Sequence, residues 1–161
     1  MKRNQGWKGM LLTAVLALSV LAIGCDDNDD KDTVKKNYTI SGNANGTQVV
    51  PSVNGTGSGT MTGTYNPNTR VLSYTNGWSG LTGAPTSGGF YTGASGINGS
   101  AVGSPWTYDG NITGTGNYNG TMTLTEAQEQ QLLGGNWYYG YNTATNTNGE
   151  VRGQITSTQV R

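Results

Sequence analysis

From Tyr38 onward, apolar side chains recur at alternate positions in short runs that glycine and asparagine interrupt. Met61, Gly63 and Tyr65 share one face of such a run, and Thr60, Thr62 and Thr64 share the other. A period of two is that of a half-buried β-strand, whose successive side chains leave on opposite sides. Leu72, Tyr74 and Trp78 make a second apolar face, joined to the first by the turn Asn66-Pro67-Asn68-Thr69. Tyr118, Gly120, Met122 and Leu124 make a third, Trp137, Tyr139 and Tyr141 a fourth, and Val151, Gly153 and Ile155 a fifth. Tyr38-Thr39-Ile40 is the expected first strand. Asn-Gly pairs such as Asn54-Gly55, Asn119-Gly120 and Asn148-Gly149 punctuate these runs, because both residues accept the positive φ of tight turns. Many short antiparallel strands predict an all-β sandwich or barrel.

One segment departs from this period. Thr125-Glu126-Ala127-Gln128 has the form of a capping box, and Leu132-Leu133 before Gly134-Gly135 closes a short turn. A single short helix is therefore expected near residues 125–133, lying as a crossover against the end of the sandwich.

The first 24 residues follow another logic. Lys2, Arg3 and Lys8 precede an apolar stretch from Met10 to Ile23, shorter than the roughly 20 residues a membrane-spanning helix needs. A basic start, a short apolar middle and small residues before a processing point define a secretory signal. Ala22-Ile23-Gly24-Cys25 resembles a bacterial lipobox, with Ala22 where Leu is commoner. The expectation is a removed signal peptide over 1–24 and a lipid-modified Cys25 that ties the chain to a bilayer. Cys25 is the sole cysteine, so no thiol is left for a disulfide, a nucleophile or a metal. Residues 25–37 hold five aspartates and three lysines and read as a solvated tether. The expected location is a bacterial cell envelope, lipid-anchored at the outer membrane on its periplasmic face or at the cell surface.

Composition narrows the function further. Beyond Tyr38 the charges are Arg70, Arg152 and Arg161 against Asp109, Glu126, Glu129 and Glu150, too few cations for a nucleic-acid partner. The whole chain contains no histidine, which removes the usual catalytic triads. Lysine is absent after Lys36, and Glu126 and Glu129 suit the first turn of a short helix better than a glycosidase pair. No catalytic residue, cofactor or metal site is expected.

The order of segments is similar to that of CHRD domains, the module described in chordin. Gln48-Val49-Val50-Pro51-Ser52-Val53 before Gly57-Ser58-Gly59 resembles the family's opening. Leu72-Ser73-Tyr74 with Trp78-Ser79-Gly80-Leu81-Thr82, and Thr123-Leu124-Thr125 through Trp137-Tyr138, resemble its middle strands. Gly149-Glu150-Val151-Arg152-Gly153-Gln154-Ile155 matches its closing motif nearly letter for letter. The resemblance covers residues 38–156, leaving 157–161 as a tail. It implies an antiparallel Greek-key β-sandwich, immunoglobulin-like or SOD-like, without an established enzymatic activity. Glu150, Arg152 and Gly153 are the structural motif it carries over; Glu150 and Arg152 are expected to pair at the surface and fix the last strand's register. Family members commonly carry histidines where Phe90-Tyr91-Thr92-Gly93 and Tyr141 stand here, so imidazole chemistry is excluded.

The aromatics remain. Either they fill a core short of Leu and Ile, or some form an exposed platform suited to sugars or a protein partner. The candidate contact residues are Phe90, Tyr91, Trp106, Tyr108 and Tyr138, with Trp106 and Tyr108 expected in an exposed irregular region. If Trp137 and Tyr139 point inward, Tyr138 points out. The chain thus reads as a non-catalytic binding or structural module that contacts a glycan or an envelope protein. Alternatives are a degenerate metal-binding or enzymatic sandwich that lost its His ligands, and a self-associating surface-coat protein.

Overall fold

The computed structural model describes residues 34–108 and 110–161. The expected signal peptide, the expected lipidation site Cys25 and most of the expected tether lie outside the described residues. The strands are β1 (Tyr38–Asn45), β2 (Ser58–Asn66), β3 (Val71–Ser79), β4 (Pro85–Thr92), β5 (Ala101–Val102), β6 (Gly116–Thr123), β7 (Trp137–Thr143), β8 (Val151–Gln154) and β9 (Thr156–Gln159). One α-helix, α1 (Glu126–Leu133), joins β6 to β7. Neighbours run β5-β4-β7-β8-β1-β2-β3-β6, with β9 beside β1, and every pairing is antiparallel.

Rings from opposite ends of this order touch. Tyr74 of β3 meets Phe90 of β4 edge-on at 4.8 Å between centroids. Trp78 of β3 meets Tyr141 of β7 at 5.2 Å. The sheet therefore curls until its β4-β7 half faces its β3-β6 half. The expected antiparallel all-β fold is borne out, with its two layers supplied by one continuous sheet.

The alternation read from the sequence sets the core. Met61, Tyr65, Leu72, Trp78, Trp137, Tyr139, Tyr141, Val151 and Ile155 are all buried. Aromatic rings supply much of this core, each burying about 150–250 Å². Helix α1 has both hydrogen bonds of its capping box: Gln128 N–H donates to Thr125 Oγ1 at 3.3 Å, and Thr125 N–H to Gln128 Oε1 at 2.9 Å. Its first turn is only partly solvated. Glu126 is exposed, but Glu129 is buried, and Arg70 reaches both carboxylates at 3.5 and 3.6 Å.

One boundary moves. The expected tail begins at residue 157, yet Thr156–Gln159 form β9, with Thr39 opposite Thr158 and Tyr38 opposite Gln159. Val160 N–H adds a bond to Asn37 O at 2.8 Å. The segment alternates without an apolar face, so its pattern looks like a tail although Thr suits a pleated surface. At the other end Lys35 is fastened to the β2–β3 turn. Its N–H donates to Asn68 Oδ1 at 3.0 Å, and its carbonyl accepts from Asn68 Nδ2 at 2.8 Å.

Candidate functional site

Strand β4 sends Phe90 inward and Tyr91 outward, which divides the candidate aromatics. Phe90 is 2% exposed and meets Trp106 edge-on at 5.2 Å. Trp106 itself is 5% exposed, and its Nε1–H donates to Tyr74 Oη at 3.0 Å. The segment after β5 therefore dips into the core instead of crossing the surface. Tyr108 follows it, half-buried and edge-on to Trp78 at 5.5 Å. Phe90 and Trp106 are core residues, and the exposed platform expected around Trp106 and Tyr108 does not form. The physical reason is composition: a core poor in Leu and Ile recruits rings from connecting segments. Phe90 and Tyr141, where the resemblance led imidazoles to be expected in the family, are packed against other rings in this interior.

Tyr91 and Tyr138 occupy the opposite, outer face. They are Cα partners on β4 and β7, and their rings stack at 5.2 Å with 15° between planes. Tyr138 leaves β7 outward, as the alternation requires, but it is covered rather than free. The Arg152 guanidinium lies over its ring, 3.6 Å from the centroid. Its hydroxyl accepts the Gly99 N–H at 3.3 Å. Of the five candidate aromatics, only Tyr91 and Tyr138 come together on an outer surface.

The expected surface pair between Glu150 and Arg152 does not exist. Both are buried, at 2% and 4% exposure, and they serve different partners. Glu150 stands just before β8 and accepts from Thr82 N–H and Thr82 Oγ1, each at 2.7 Å, and from Thr143 Oγ1. Burial pushes its carboxyl up, but these hydrogen bonds outweigh burial and hold it below the usual value. Arg152 donates to Ala94 O at 2.8 Å, Ile97 O at 3.0 Å and Asn98 Oδ1 at 3.3 Å. Burial lowers its pKa while the facing Tyr138 acts the other way. Spacing alone suggested a pair; separate hydrogen-bond sets on two loops made one unnecessary. Gly153 has no room for a side chain, since a Cβ there would lie 2.6 Å from Tyr139 Cε1 and 2.9 Å from Asn43 O. The motif thus fastens β8 to the 82 loop, to the 94–98 loop and to β1.

Two hollows of about 250 and 300 Å³ adjoin this cluster and share Val49, Thr147, Asn148 and Gly149. Tyr91, Tyr138 and Arg152 border the first, and Gly140 and Asn142 line it from β7. The second continues between residues 49–53 and the turn 145–149. Asn98 closes the groove's side by donating from Nδ2 to Val50 O at 2.8 Å. Gly140, Asn142, Thr147 and Asn148 carried no signal in a chain this rich in Gly, Asn and Thr. The outward parity of β7, set by Trp137 and Tyr139, is the one clue that could have found Gly140 and Asn142. Among the described residues, no group of three His, Cys, Asp or Glu could hold a metal ion. The groove offers amides, hydroxyls and rings, which is the chemistry of contact.

An all-β module with such a groove is the class this geometry defines. A family model described as CHRD domain matches residues 40–155, and the chain belongs to that family. The family is one of extracellular and binding modules and is in general not enzymatic. No curated protein and no solved structure matches the chain.

Proposed function

We propose that this chain is a lipid-anchored, non-catalytic contact module of a bacterial cell envelope, held through acylated Cys25 and engaging its ligand through the outer groove. The observation that carries the reading is the groove beside Tyr91, Tyr138 and Arg152. It is concave, floored by the outer face of β7 and β8, and walled by loops that this β framework positions. The lipobox and the short charged tether support a domain displayed outside the cytoplasmic membrane, at the outer membrane's periplasmic face or at the cell surface. One acyl chain holds only marginally, whereas several hold firmly.

The test has two arms. Mass spectrometry of the purified chain should find an acylated Cys25 at its start, and Cys25→Ser should release the protein from the membrane fraction. Retention of envelope extract on the full chain in detergent should weaken when the groove residues Thr147 and Asn148 are both changed to Ala. A Cys25→Ser variant that stays membrane-bound would remove the anchor. Retention indifferent to the groove variant would remove the contact site.

A further inference from the structure

Resting on the groove being the contact site, we infer that its ligand is a neutral, hydroxyl-rich saccharide segment. Charge decides the first part. The only ionised side chain on the hollow's lining is Arg152, 4% exposed and occupied by Tyr138 and by the 94–98 loop. The groove therefore presents no free charge to select an anion or a cation.

Hydrogen-bonding chemistry decides the second. Asn142, on the lining, donates from Nδ2 to Ser87 Oγ at 3.1 Å. Thr147 and Asn148 are exposed on the rim shared by both hollows. A side-chain amide is donor and acceptor together, as a sugar hydroxyl is, so the exposed Asn148 meets a hydroxyl either way round. The half-buried Tyr91 ring borders the groove for an apolar sugar face.

A peptide is poorly served here. The floor strands β7 and β8 already have neighbours on both sides, so no sheet edge is open to strand addition. Val49 and Val151 on the lining are buried, which leaves no deep apolar pocket for an anchoring side chain. Ile97, exposed at 60%, stands alone outside both hollows.

The experiment uses the full chain immobilised in detergent and challenged with envelope extract in three portions. One portion is untreated, one is oxidised with periodate to cleave vicinal diols, and one is digested with proteinase K. The expected result is retention that survives proteolysis, disappears with periodate, and does not fall as salt rises. Thr147→Ala with Asn148→Ala should weaken it about tenfold. Thr62→Ala, on the outer face of β2, should leave it unchanged. Retention that protease abolishes overturns the saccharide while leaving the contact site standing. Protease-resistant retention that survives periodate overturns it likewise, and retention that salt abolishes overturns its neutrality. Retention that ignores the groove variant in every portion removes the groove and the saccharide together.

Discussion

Four acceptors surround the Arg152 guanidinium, at 2.8, 3.0, 3.3 and 3.4 Å, and none of them is charged. A planar fork over an aromatic ring suits this arrangement, and an ammonium does not reproduce it. Arg152→Lys should therefore cost about 2–4 kcal/mol, read as a lowered midpoint in urea denaturation. A loss of less than about 0.5 kcal/mol would show the bonds to be incidental. Glu150 makes a separate prediction through pH. Its folded pKa is depressed below the usual 4.5, so its contribution is complete above that value. It is lost as pH falls from there through the lower folded value. The stability gap between the wild-type chain and Glu150→Gln should then narrow on acidification through that window, in denaturation series at stepped pH. A gap that stays constant would refute the linkage. The resemblance to the closing motif marked both residues in the sequence but not their separation, because a spacing of two positions says nothing about which loops fold over them.

Alternation within each strand was readable because a curled sheet has a dry and a wet side. Met61 and Tyr65, Leu72 and Trp78, and Trp137 with Tyr139 and Tyr141 all point where their period places them. The helix was readable because its cap is local, needing only Thr125 and Gln128. What escaped were segments whose fate depends on distant partners. β9 carries no apolar stripe and exists because β1 offers it a ladder. The segment of Trp106 enters the core because a half-built aromatic layer leaves space for it. Gly153 belongs to this scale, since its missing side chain lets β8 lie against Tyr139 and β1. Gly153→Ala should cost about 1–3 kcal/mol by overpacking, with hydrogen exchange rising along β8 and β1. Unchanged thermal stability would mean that the backbone yields easily at this contact.

At the scale of the whole molecule, the interior mixes aliphatic side chains with rings, most of which carry polar atoms. Such a core places polar groups where nothing answers them. Asn76 lies on the inward face of β3 between Tyr74 and Trp78, is 0% exposed, and finds no protein partner for either amide atom. The Tyr141 and Tyr108 hydroxyls are likewise unpartnered, and burial pushes both phenols well above their ordinary value. Leaving a buried polar group unanswered costs about 1–3 kcal/mol, whereas an apolar group of the same shape carries no such cost. Asn76→Leu keeps the side chain's branched shape and removes both amide atoms. It should raise stability by about 1–2 kcal/mol, measured as an upward shift of the thermal midpoint. Retention of envelope extract should be unchanged in this variant, since β3 takes no part in the groove. A lowered midpoint would mean that the amide is satisfied in solution and holds the two halves of the sheet in register. The polar interior would then be a structural device rather than the residue of a chain that builds its core from tyrosine.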